Sequence, residues 1–72
     1  MSRFLTLTDI AEILQISSSQ AYALVRSGEL PAIQIGGRGQ WRVEQSMLDE
    51  YIKEKYAETR RLVEEAKAEH KR

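Results

Sequence analysis

The 72-residue sequence predicts a mainly α-helical domain with a small β-hairpin, in the order α-α-β-β-α, followed by a C-terminal helical extension. Three observations carry this expectation. Apolar residues recur at helical spacing in Ile10, Ile13 and Leu14, and again in Ala21, Leu24 and Val25. The period falls to two around the glycine-rich run Gly36-Gly37-Arg38-Gly39-Gln40, with Ile33 and Ile35 before it and Trp41 and Val43 after it. Helical spacing then returns in Leu48, Tyr51, Ile52 and Tyr56.

The first helix is expected to begin at Thr8, an N-cap type residue, with Asp9 and Glu12 in its first turn, where carboxylates favour the positive end of the helix dipole. Ser17 to Gln20 reads as a capping box: the Ser17 hydroxyl accepts from the Gln20 backbone N–H, and the Gln20 side chain reaches back. The second helix therefore starts at about Ser18. It stops at Gly28, which takes a left-handed conformation at no steric cost, and Pro31 blocks any continuation. In the hairpin, Ile33, Ile35, Trp41 and Val43 are expected on one face and Gln34 and Arg42 on the other. The third helix begins near Glu44 or Gln45. Beyond Ala57 the large apolar residues are Leu62 and Val63, which suggests a charged helical or frayed extension. The domain is accordingly drawn at residues 1–56 and the extension at residues 57–72.

Composition limits the function. A chain this short buries only about 60% of its unfolded surface, so one small domain is expected. There is no cysteine, which removes disulfides and thiolate metal sites together. The longest run of hydrophobic residues, Ala21 to Val25, is far below the roughly 20 residues of a membrane span, and an intracellular protein without membrane association is expected. Eleven basic residues balance eleven acidic ones. Residues 1–43 hold four basic groups (Arg3, Arg26, Arg38, Arg42) against three acidic ones, and residues 44–72 hold seven against eight.

Enzymatic chemistry finds no support. His70 is the one histidine and lies in the charged tail; no nucleophile–base pair or cluster of metal ligands can be assembled around it. The Gly36-Gly37-Arg38-Gly39 run lacks the Gly-Lys-Ser/Thr and the following helix that a phosphate cradle requires. No catalytic residue, metal or cofactor is expected.

Ile10, Ala11, Leu14, Ile16, Ala21 and Leu24 occupy the places where a DNA-binding helix-turn-helix buries the contact between its helices. Ala11 is small enough to let the second helix cross closely over the first. Gln15 stands where many such turns carry glycine. Leu7-Thr8, Ile10-Ala11, Leu14, Ile16-Ser17, Tyr22, the stretch from Val25 to Ile33 and Trp41-Arg42-Val43 together resemble the excisionase-type winged helix-turn-helix domain, a family related to the DNA-binding part of the MerR regulators. The resemblance runs from Phe4 to Tyr56 and is most specific from Ser27 to Ile35. It implies a small bacterial, phage or mobile-element protein, cytoplasmic and nucleoid-associated when DNA-bound. Such a protein acts in transcription regulation or as an excisionase-like directionality factor in DNA recombination. It also implies a second helix in the major groove and a hairpin wing on the backbone or minor groove. Carried onto this sequence, the DNA-binding positions are Ser17, Ser18, Ser19, Gln20, Tyr22, Ala23 and Arg26 in the helix, and Arg38, Gln40 and Arg42 in the wing.

Physical roles for these residues follow from their chemistry. Serines at a helix N-terminus bond phosphate, assisted by free backbone N–H groups and the dipole, and they also serve as caps. Arg26 suits either a guanine edge or phosphate, with phosphate preferred for a late position in the helix. Tyr22 or Ala23 can pack on a thymine methyl, although Tyr22 reads equally as a partly buried core aromatic. Trp41 reads as core. Arg38, flanked by glycines, suits a narrow minor groove.

Four arginines neutralising phosphates give a log–log salt slope of only about −3.6. Double-stranded DNA is therefore the expected partner, with affinity reinforced by self-association on adjacent sites or by a recombinase. Ile52, Tyr56, Thr59, Val63, Ala66 and His70 form a heptad-like stripe that offers one route to self-association, although a solvated single helix is the alternative. A protein-interaction adaptor that keeps the fold but binds DNA weakly is the competing reading of the zero net charge.

Overall fold

A computed structural model describes residues 3–37 and 39–70. Its elements are β1 (Phe4–Leu5), α1 (Leu7–Leu14), α2 (Ser18–Arg26), β2 (Ile33–Ile35), β3 (Gln40–Glu44) and α3 (Gln45–His70). The architecture is a winged helix-turn-helix: three helices and a three-stranded antiparallel sheet in the order β1-β3-β2. Strand β1 was not foreseen. It pairs Phe4 with Glu44 and Leu5 with Val43, and two residues are too few to display an alternation.

The N-cap of α1 lies two residues earlier than Thr8. It is Thr6, whose hydroxyl accepts from the Asp9 N–H at 3.1 Å while the Asp9 carboxylate accepts from the Thr6 N–H at 3.0 Å. Thr8 has no such partner three residues on that reaches back, whereas Thr6 and Asp9 form the reciprocal pair. At the other end Gln15 is left-handed (φ 57°, ψ 48°), and the Ile16 N–H bonds the Ala11 carbonyl at 3.0 Å. This six-to-one closure is the usual work of a glycine. Gln15 achieves it with its side-chain amide, which donates to the Glu12 carbonyl at 2.8 Å.

The capping box at Ser17 and Gln20 is present as expected, and α2 begins at Ser18. Its last turn closes through Ser27, and Gly28 then takes φ +86°. This reverses the chain and drops Leu30 into the core, where its N–H bonds the Leu24 carbonyl at 3.1 Å.

The core consists of Leu5, Ile10, Ala21, Val25, Leu30, Val43 and Leu48, with Ala11, Leu14, Leu24, Trp41 and Tyr51 packed around it. One residue of the expected apolar face of α1, Ile13, is half exposed, because the crossing of α2 covers only the side bearing Ile10, Ala11 and Leu14.

The hairpin faces also differ from expectation. Ile33 pairs with Arg42, Gln34 with Trp41 and Ile35 with Gln40, so Ile33 and Ile35 share the outer face with Arg42 and Gln40. Trp41 and Val43 face inward, and Gln34 lies on their side of the hairpin but is exposed. Residues directly opposite each other lie on one side of a sheet, so a register one residue away from the expected one moves both isoleucines across. α3 is continuous to His70, and from Tyr56 to Glu69 its side chains are exposed.

Candidate nucleic-acid interface

α2 divides into two faces. Ala21 and Val25 are buried and Leu24 is half-buried against the core, while Ser18, Ser19, Tyr22, Ala23 and Arg26 are exposed. Ser18, Tyr22 and Arg26 lie four residues apart, and Ser19, Ala23 and Arg26 four and then three, which keeps the set along one side of the helix. The α1–α2 turn holds this side outward through the Gln15 conformation and the Ala11 contact.

Ser17 and Gln20 are occupied by each other. The Ser17 hydroxyl accepts from the Gln20 N–H, and the Gln20 side-chain oxygen accepts from the Ser17 N–H, both at 3.1 Å. The first turn of α2 contains no carboxylate, in contrast to α1, where Asp9 fills the same place. The positive end of the α2 dipole and the Ser18 and Ser19 hydroxyls therefore face solvent with no acid among them to compete for them, an arrangement suited to a phosphate.

One turn later, Arg26 Nη1 donates to the Tyr22 hydroxyl at 3.1 Å, and the guanidinium lies 5.8 Å from the Tyr22 ring centroid. Tyr22 is 41% exposed, and its hydroxyl lies at the surface with an arginine held on it. Sequence spacing contained this signal, since an aromatic and an arginine at i and i+4 meet on a helix surface.

The wing is the connection from Gly36 to Gly39, with Gly36 and Gly39 both left-handed at φ 76° and 68°. Gln40 is exposed at its base. Arg38 lies outside the described residues, as does the side chain of His70. Arg42 is half-buried on the outer sheet face, where Nη1 donates to the Trp41 carbonyl at 2.8 Å and the side chain adjoins Phe4, Ile33 and Met47. The expected wing residues thus part company: Gln40 belongs to the hairpin end, and Arg42 belongs to an apolar sheet surface that was not foreseen.

Two charged groups away from this face, Asp9 and Lys55, are engaged within the fold. The pKa of Asp9 is held below its ordinary value by the Thr6 backbone and hydroxyl hydrogen bonds, with smaller help from the Arg3 and Arg42 charges. Lys55 is raised by Glu29, which stands beyond the end of α2, and by Glu58 at 3.5 Å. Among the described residues no group of three or more His, Asp or Glu side chains is placed to hold a metal ion. No helix among them is long and apolar enough to cross a membrane.

A capped, outward-facing second helix crossed over a short first one, with a hairpin beside it, defines a helix-turn-helix DNA-binding domain. The match to the family model described as a helix-turn-helix domain covers residues 4–56, most of the chain, and the protein belongs to this family. Such domains are DNA-binding modules and not a class of enzyme. No curated protein and no solved structure matches the chain.

Proposed function

We propose that this protein binds double-stranded DNA sequence-specifically, with α2 in the major groove and the Gly36–Gln40 end of the hairpin on the backbone or the neighbouring minor groove. In this reading it is a small bacterial transcriptional regulator or an excisionase-like recombination directionality factor. The observation that carries the reading is the acid-free exposed side of α2, with Ser18 and Ser19 at the dipole end and the Tyr22–Arg26 pair one turn on. The serines dock a phosphate, and with Ser17 and Gln20 they fix the register. Arg26 clamps phosphate, and Ala23 and the Tyr22 ring meet base edges. Arg38, by its chemistry and its place between glycines in the sequence, suits a narrow minor groove. Arg42 is left out of this set, because it lies against the apolar sheet surface.

Residues 1–56 act as the DNA-binding domain, and residues 57–72 as an extension. Tyr56 at the end of the domain and Leu62 and Val63 in the extension are exposed, and a cleft of ≈ 200 Å³ is lined by Ile52, Lys55, Tyr56 and Thr59. This supports pairing through residues 52–70 on adjacent sites, and a recombinase is the other partner that would supply the missing affinity.

Selection from a random genomic fragment library tests the function. Enrichment of particular sites, abolished by Arg26→Ala in a chain that still folds, is the expected result. Recovery of fragments without any preference overturns it in favour of a protein-interaction adaptor.

A further inference from the structure

The outer face of the sheet carries a second surface. Phe4 and Ile33 are each 51% exposed, Ile35 49% and Met47 37%, although all four are large and apolar. Phe4, Pro31, Ile33, Arg42, Glu44 and Met47 surround a cleft of ≈ 210 Å³. Scattered apolar residues are ordinary on a protein surface, but a contiguous apolar patch around a few polar groups marks a contact. Arg42 and Glu44 stand two residues apart on β3 and so point to the same side. Among the described residues the one ion pair within 4.0 Å is Lys55–Glu58, so Arg42 and Glu44 remain unpaired with each other.

We infer that this face is a self-complementary contact between two copies of the chain. DNA is a poor occupant, because Glu44 would meet phosphate at the centre of the patch. Arg42 acts on Asp9 only at longer range, and a second copy supplies both Arg42 and Glu44 with a counter-charge in direct contact. The register sets Ile33 level with Arg42 and Phe4 level with Glu44, and Pro31, two residues before Ile33, lines the same cleft as Glu44. A two-fold axis in the plane of contact, perpendicular to β3 and level with Val43, reverses one sheet over the other. Arg42 of each copy then faces Glu44 of the other. Such an isologous contact uses one patch twice. The Arg42 guanidinium has donors to spare after the one given to the Trp41 carbonyl. This contact is independent of DNA binding and is separate from the α3 stripe.

Sedimentation equilibrium of the full chain without DNA tests the inference. The wild type is expected to reach twice the monomer mass as its concentration rises. Arg42→Glu and Glu44→Arg each bring like charges face to face and weaken association by about tenfold or more. An equimolar mixture of these two variants restores the dimer, because each opposed pair then carries both signs. Ile33→Lys, at a position already half exposed, also yields a monomer with the wild-type circular dichroism spectrum. A wild type that stays monomeric throughout, or a mixture no more associated than its components, overturns the inference. So does a dimer insensitive to these changes but lost in Tyr56→Glu, which would place the contact on α3.

Discussion

Tyr22 and Arg26 form a single surface unit: the phenol hydroxyl accepts from the guanidinium at 3.1 Å, and the ring lies beside the charge at 5.8 Å. An arginine held in this way loses less rotamer freedom on binding than one moving in solvent. Tyr22→Phe keeps the ring and removes the hydroxyl, and it should weaken DNA binding by about fivefold, the worth of roughly 1 kcal/mol, with little effect on thermal stability. Arg26→Ala should cost about 1–3 kcal/mol of binding and reduce the salt slope by about 1 if the contact is phosphate. Titrations of both variants against the selected site check the pair; equal affinity of Tyr22→Phe and wild type would remove Tyr22 from the interface.

Ser17 begins α2 through its exchange with Gln20. Ser17→Ala should lower unfolding stability by about 1 kcal/mol, as N-cap losses do. Urea unfolding followed by circular dichroism measures this.

Gln15 holds the turn in a left-handed conformation. A β-branched residue is a severe outlier there, and Gln15→Val should destabilise the domain by roughly 1–2 kcal/mol and loosen the angle between α1 and α2. Chemical denaturation together with DNA titration checks both consequences; unchanged stability would mean that the turn relaxes without cost.

Asp9 caps α1 as a carboxylate, and its acidity is increased by the Thr6 hydrogen bonds. A group with a depressed folded pKa adds stability that is complete above its unfolded pKa and is lost as pH falls through the folded value. Melting temperatures of wild type and Asp9→Asn should therefore differ most above the ordinary value of 3.8 and converge as the solution is acidified below it. A difference independent of pH would indicate that the charge of Asp9 contributes nothing.

The helices were legible because their signals are local. Ser17 and Gln20 are three residues apart, Gly28 and Pro31 punctuate the end of α2, and Ala21 and Val25 share a face at helical spacing. Thr6 and Asp9 stand at the capping-box distance, but Thr8, with two carboxylates close behind it, carries a competing start signal. The sheet was less legible, because alternation gives the faces of each strand but not the register between strands. Ile33 and Ile35 alternate like core residues, and only their pairing with Arg42 and Gln40 reveals that they face outward. The same limit hid β1, whose two residues are defined by their partners on β3. Within the candidate interface, Ser18, Ser19, Tyr22, Ala23 and Arg26 could be placed from helical spacing alone, whereas the position of Arg42 depended on the register.

The most direct measurement is a fluorescence titration of the protein against a selected DNA site and a scrambled control at several salt concentrations. The account predicts tighter binding to the selected site, lost in Arg26→Ala, with a log–log salt slope steeper than about −4, more than the arginines of one protomer supply and as expected when more than one protomer occupies the site. Equal affinity for both DNAs, with one shallow slope that Arg26→Ala leaves unchanged, would contradict it.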